Sequence, residues 1–204
     1  MGGCASGGKT GDVEAGFIPL FNGTSLDGWI RRGGEASYRA EHGEIVGGTR
    51  PNQPNSFLCT AQDYGNFILE LEFKVDKELN SGVQVRSQSL PDYQNGRVHG
   101  YQVEIDPSQR AWTAGIYDEG RRGWLVNPDP KAAASFRQGD WNSLRIEANG
   151  DLIRTWLNGI PAAELHDTMT PRGFIALQVH GVGSRKDELT IRWRGIRIKQ
   201  LGTR

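Results

Sequence analysis

Three short runs of this sequence set ionisable and amide side chains at a spacing of two. In Ser81-Gly82-Val83-Gln84-Val85-Arg86, Gln84 and Arg86 fall opposite Val83 and Val85. Tyr101-Gln102-Val103-Glu104-Ile105-Asp106 sets Gln102, Glu104 and Asp106 opposite Val103 and Ile105. Phe174-Ile175-Ala176-Leu177-Gln178-Val179-His180 sets Gln178 and His180 opposite Ile175, Leu177 and Val179. Extended backbone points successive side chains to opposite faces, so these groupings hold whatever the wider topology. An ordinary wet face mixes Lys, Glu and Thr. Here amides stand beside carboxylates, a guanidinium and an imidazole. Amides and carboxylates match sugar hydroxyls, and Tyr93, Tyr101, Trp112, Tyr117 and Trp124 offer rings for sugar C–H faces. The plainer alternative is a solvated ion-pair network of Arg86, Glu104 and Asp106 with the aromatic rings in the core. The sugar reading requires the three strands to line one polar groove.

Other chemistries find less support. The four histidines, His42, His99, His166 and His180, show no HExxH or paired spacing, so a zinc site is not expected. There is no Gly-x-Ser-x-Gly elbow and no Gly-x-Gly-x-x-Gly phosphate loop. No cofactor is expected. A structural calcium ion stays open, because oxygen ligands from Asp118-Glu119 or Asn127-Pro128-Asp129 need no fixed spacing. Lys and Arg total 24, as do Asp and Glu, which argues against a nucleic-acid or anionic-membrane footprint. No run approaches the ~18 apolar residues of a spanning helix.

The elements that must position these groups are strands. Phe67 to Val75 alternates strictly, with Phe67, Leu69, Leu71, Phe73 and Val75 inward and Glu70, Glu72 and Lys74 outward. Trp141 to Ala148 predicts another strand, turning at Asn149-Gly150-Asp151 into Leu152 to Leu157, which closes at Asn158-Gly159. Gly173–His180 and Leu189–Leu201 follow, with Gly195 as a candidate bulge. Only Lys131–Ser135 suggests a helical turn. Many short strands among 28 glycines predict an all-β sandwich or barrel, and 204 residues suit one such domain.

Residues 1–15 lack periodicity and read as a flexible leader, leaving residues 16–204 as a single domain. Cys59, in Phe57-Leu58-Cys59-Thr60, reads as an inert buried thiol. Cys4 lies in Gly2-Gly3-Cys4-Ala5-Ser6-Gly7-Gly8, which resembles the end of a bacterial lipoprotein signal followed by a tether. That predicts export to the periplasm or cell surface, with a lipid anchor at Cys4. A leader carrying a chance cysteine is the alternative.

Several motifs in consistent order resemble the 3-keto-disaccharide hydrolase domain family. The opening Gly16-Phe17-Ile18-Pro19-Leu20-Phe21-Asn22-Gly23 with Leu26-Asp27-Gly28-Trp29 carries the likeness first. It continues through Asn80-Ser81-Gly82-Val83-Gln84-Val85-Arg86, Gly100 to Asp106, Ala114-Gly115-Ile116-Tyr117 and Gly139-Asp140-Trp141-Asn142. Leu157-Asn158-Gly159, Gly173 to Gly181 and Gly195 to Lys199 complete it. The resemblance implies a concanavalin A-like jelly-roll sandwich of two antiparallel sheets, in secreted or lipid-anchored bacterial proteins. Two departures stand out. Gln102 precedes Glu104 where the family often has the reverse, which leaves open which carboxylate is catalytic. Trp193-Arg194-Gly195-Ile196 replaces the usual Phe-Arg-Asn-Ile.

The resemblance also implies sugars oxidised at carbon 3. A ketone there acidifies the hydrogen on carbon 2, so a base can remove it and expel the group on carbon 1. Water can then add back. On this expectation Glu104 or His180 is base or acid and Arg86 stabilises the enolate. Gln178 and Asp106 orient hydroxyls; Gln84, Gln102, Tyr101, Tyr117 and Trp124 complete the sugar site. Two alternatives stay open. One is conventional acid/nucleophile hydrolysis by carboxylates about 5–5.5 Å apart, which Glu104 and Asp106 could reach from one strand. The other is a non-catalytic, lectin-like carbohydrate-binding module.

Overall fold

The computed structural model describes residues 16–202. Among them the strands are, first, β1 (Ile18–Pro19), β2 (Trp29–Gly33), β3 (Ser37–Glu41), β4 (Glu44–Gly48) and β5 (Ser56–Tyr64). Then come β6 (Phe67–Val75), β7 (Ser81–Gln88), β8 (His99–Ile105), β9 (Ile116–Glu119) and β10 (Gly123–Val126). A short helix, α1 (Pro130–Ala134), precedes β11 (Asn142–Asn149) and β12 (Leu152–Leu157). The last strands are β13 (Ile160–His166), β14 (Gly173–Val179) and β15 (Thr190–Gln200). The expected helical turn is α1, started by Asp129, whose side chain accepts from the Lys131 backbone N–H, with Pro130 at its first position.

The strands form two antiparallel sheets. One runs β13-β12-β11-β6-β15-β4-β3, with β1 added on β15; the other runs β10-β9-β8-β7-β14-β5-β2. Leu69, Leu71 and Phe73 of β6 and Ile191, Trp193 and Ile198 of β15 form one side of the core. Val83 and Val85 of β7, Val103 and Ile105 of β8, and Ile175, Leu177 and Val179 of β14 form the other. The apolar alternation read from the sequence is therefore what glues the sheets together. The opposite face of β8, β7 and β14 is left for the polar residues.

Two irregularities change which side chains face where. In β15 the pairing with β6 jumps from Arg194↔Glu72 to Arg197↔Glu70, with Gly195 at φ 60°. This bulge shifts the parity, so that Ile191 and Trp193 before it and Ile196 and Ile198 after it all point inward. A second shift lies in β7, between Val85 and Gln88, where Arg86 itself takes φ 47°. Arginine seldom adopts that conformation, and nothing in the sequence marks it.

Candidate active site

The three polar strands are neighbours, in the order β8-β7-β14. Gly82 pairs with Glu104 on one side and with Gln178 on the other, so carboxylate and amide stand in one row across the sheet. Lacking a side chain, Gly82 leaves room over that row for the Gln102 carboxamide. Above it lies a hollow of about 510 Å³. Gln102, Glu104, Gln178 and His180 form its sheet side, together with Asp106 just beyond the end of β8. Loop residues Asn55, Asn80, Arg97, Ser108 and Arg110 border it, and Tyr117, Glu119 and Trp124 of β9 and β10 close the far side.

Glu104 is 4% exposed and fully supplied with donors. Asn80 Nδ2 donates to its Oε1 at 2.6 Å and Gln102 Nε2 to its Oε2 at 2.8 Å. Arg110 stands at 3.4 Å from Oε1. Burial pushes the Glu104 carboxyl above its ordinary value, against the pull of Asn80, Gln102 and Arg110, and Asp106 adds to the rise. Asp106 goes the other way. Burial raises it too, but hydrogen bonds from Ser108 and Arg110 outweigh that and hold it below its ordinary value. The two neighbouring carboxylates are thus driven apart, one towards proton exchange and one towards a fixed negative charge.

Arg110 joins them to the aromatic wall. Its Nε donates to Asp106 at 2.7 Å, and its guanidinium lies 4.5 Å from the Trp112 ring centre and 5.0 Å from that of Trp124. Trp124 packs edge-on against Trp112 and Tyr117. On the other side, His180 Nδ1 lies 2.8 Å from the Gly181 carbonyl. A carbonyl only accepts, so Nδ1 donates to it, and Nε2 is the ring nitrogen left for proton exchange. Gln178 is fully buried, yet neither Oε1 nor Nε2 has a hydrogen-bond partner. A buried amide with both ends unpaired costs stability.

Three of the expected site residues stand elsewhere. Arg86 does not face the hollow, because the irregularity at its own φ turns it away. Its guanidinium donates to Gly65 O at 2.8 Å, Gly150 O at 2.7 Å and Asn66 Oδ1 at 3.1 Å, tying β7 to the turns β5–β6 and β11–β12. Tyr101 shares the core side of β8 with Val103, and its hydroxyl donates to Asp167. Gln84 lies beneath the hollow, closed off by Gln102 and Ser87, and reaches no sugar. The carboxylates considered for calcium are engaged: Asp118 by Arg121 and Arg122, Glu119 by Arg97, and Asp129 as the cap of α1. No group of three or more acidic, His or Cys residues arranged for a metal occurs among the described residues. Cys59 is buried as expected, its thiol pushed up to about 12 by burial. Cys4 and the rest of the leader lie outside the described residues. Sequence reasoning missed Asn80 and Arg110. Asn80 sat inside a motif that carried the family likeness; Arg110 gave no signal, being a loop residue outside the alternating strands.

The model of the 3-keto-alpha-glucoside-1,2-lyase-like domain matches residues 16–199. The chain belongs to this family. No curated protein matches it in sequence. Among solved structures, a predicted glycosyl hydrolase from Parabacteroides distasonis superposes with a TM-score of 0.67 at 20% identity, covering 92% of this chain and 94% of that one. The carbohydrate-binding module CBM66 from Bacillus subtilis gives 0.60 at 16% identity over 87% and 97%. A Bacillus subtilis protein with a galectin-like fold gives 0.61 at 12% identity over 88% and 92%. At these identities the likeness is one of fold. It places this 3-keto-glucoside-lyase-like chain among the jelly-roll sandwiches of the concanavalin A type. No helix of the described residues is long and apolar enough to cross a membrane.

Proposed function

We propose that this chain cleaves the glycosidic bond of 3-keto glycosides by taking the proton from carbon 2. Family membership supports the substrate class, and one observation carries the assignment of the base. A buried carboxylate, Glu104, faces an open polar hollow and is made more basic by that burial. The ketone at carbon 3 acidifies the carbon 2 hydrogen. Glu104 accepts it as a proton, and the C–H electron pair becomes an enolate with its charge on the carbon 3 oxygen. Of the two arginines bordering the hollow, Arg110 stands beside Glu104 and takes that oxygen, the role first expected of Arg86. Collapse of the enolate forms the C1=C2 double bond and breaks the bond from carbon 1 to the leaving oxygen. The leaving oxygen takes a proton from His180 protonated at Nε2; the imidazole recovers one from the water that adds at carbon 1, and Glu104 returns its own to carbon 2. Water adding across C1=C2 restores the 3-keto sugar, so the net result is hydrolysis. The unpaired amide of Gln178 offers one acceptor and one donor to neighbouring sugar hydroxyls.

The test is incubation with methyl 3-keto-glucoside, following methanol release. Wild type should turn over; Glu104→Gln should lose about 10²-fold or more while remaining folded. Undiminished turnover in that variant removes Glu104 from the mechanism. Cleavage of plain methyl glucoside would favour the acid/nucleophile route, and saturable binding without product would make this a lectin-like module. We place the protein in the periplasm or at the cell surface, on the strength of the sequence around Cys4.

A further inference from the structure

Beneath the hollow, three side chains continue from Glu104 in an unbroken line. Gln102 Nε2 donates to Glu104 Oε2 at 2.8 Å, Gln84 Nε2 donates to Gln102 Oε1 at 2.6 Å, and Ser87 Oγ donates to Gln84 Oε1 at 2.6 Å. Gln84 and Ser87 are fully buried and Gln102 is 2% exposed. The direction of this line is dictated from one end. An ionised carboxylate only accepts, so Gln102 must offer its NH₂ to Glu104, its oxygen must then take a donor, and so on to the serine.

If Glu104 is protonated, the same logic runs backwards. A proton on Oε2 becomes a donor and needs an acceptor, which Gln102 supplies when its amide turns over. Gln102 Nε2 then donates to Gln84 Oε1, and Gln84 Nε2 to Ser87 Oγ. The line can reverse only if the serine proton has somewhere else to go. It has two such places: Val85 O at 3.2 Å and Tyr101 O at 3.3 Å from Ser87 Oγ. Amide oxygen and NH₂ are nearly equal in size, so each turn exchanges groups without repacking. Asn80 and Arg110 meet the other carboxylate oxygen and are undisturbed by the reversal.

We infer that Ser87, Gln84 and Gln102 form a reversible amide relay that satisfies Glu104 equally as carboxylate and as carboxylic acid. Gln84 and Ser87 are positioning residues, touching no substrate. No proton passes along the relay; two amides turn and one hydroxyl swings. Its use rests on the proposed role of Glu104, which must both take and release a proton in each cycle while almost wholly buried. A fixed line would leave a donor facing a donor in one of the two states, a cost of about 1–3 kcal/mol per buried unpaired group. The relay removes that bias.

The relay can be tested without substrate. Other ionisable groups around Glu104 are Asp106 just beyond its own strand, Arg110 on the following loop, Arg97, Tyr117 and Glu119 across the hollow, and His180 beside β14. Their fields also reach Gln84, so the measurement must separate contact from field. Side-chain amide nitrogens of Gln84 and Gln102 are followed by NMR through a pH titration, together with the Glu104 carboxyl carbon. Both amides should shift with the midpoint of Glu104. In Gln102→Met, which cuts the line, Gln84 should stop responding while Glu104 still titrates. A Gln84 signal that stays still in wild type, or still follows Glu104 in Gln102→Met, overturns the relay. Should Gln102→Met not fold, Ser87→Ala removes the terminal hydroxyl, and Gln84 should then respond with reduced amplitude; an unchanged response counts against it. Absence of 3-keto-glucoside turnover would sink the proposed activity without touching this result.

Discussion

Gly82 lies directly beneath the Gln102 carboxamide: a Cβ at Gly82 would stand 2.5 Å from Gln102 Cδ. Such a contact cannot persist, and the mobile partner is the amide rather than the backbone. Gly82→Ala should therefore push Gln102 off both Glu104 and Gln84 while leaving the sandwich intact. Loss of orientation at a reacting carboxylate costs on the order of 10²-fold in rate. The expected outcome is a fall of that size in kcat/KM for methyl 3-keto-glucoside, with an unaltered circular dichroism spectrum. Full activity would mean that Gln102 does not hold the base.

Burial raises the Glu104 carboxyl, and a base works only when ionised. Activity should therefore rise with pH through a limb lying above the ordinary range of glutamate. Asp106 contributes to that rise by its charge and also occupies Arg110. Asp106→Asn removes a negative neighbour and frees the guanidinium for Glu104, so the limb of kcat/KM should move to lower pH. Arg110→Gln should move it to higher pH, along with a fall in rate. A limb that stays in place in both variants would assign it to another group.

Much of this architecture could be read directly from residue order. Phe67 to Val75 shows its buried face by alternation alone, and Gly195 advertises its bulge because glycine tolerates the positive φ that shifts the register. The grouping of Gln102, Glu104, Gln178 and His180 follows from the same period. That period fails at Arg86, where an arginine takes a left-handed conformation that no sequence signal announces. Tyr101 is a different kind of error. Its own strand already paired it with Val103 and Ile105 on the apolar side, so alternation argued against a sugar platform there. Arg110 was invisible because it lies in a loop with no alternation to read, and its stacking on Trp112 and Trp124 depends on how that loop turns.

Arg86 holds three acceptors on two separate turns, and burial lowers its own hold on the proton. Arg86→Lys keeps the charge but loses the planar fork, leaving acceptors at Gly65, Gly150 or Asn66 unmet. It should cost about 2–3 kcal/mol in denaturant unfolding. Because this side chain stands away from the hollow, kcat/KM of the folded variant should stay within about twofold of wild type. A large loss of rate with unchanged stability would return Arg86 to the mechanism.

Gln178 poses the opposite trade. Its buried amide is unpaired at both atoms, so the unliganded protein bears a penalty that, on the proposed function, a bound sugar relieves. Gln178→Met keeps the length and volume while removing the polar atoms. The variant should be more stable than wild type by about 1 kcal/mol, since replacing an unmet polar group by an apolar one lifts that penalty. The same change deletes a donor and an acceptor for the substrate, so KM should rise about tenfold or more. Stability and affinity are expected to move in opposite directions, which a purely structural glutamine would not produce. Parallel loss of both would mean that the amide is satisfied in the free protein and plays no part in holding sugar.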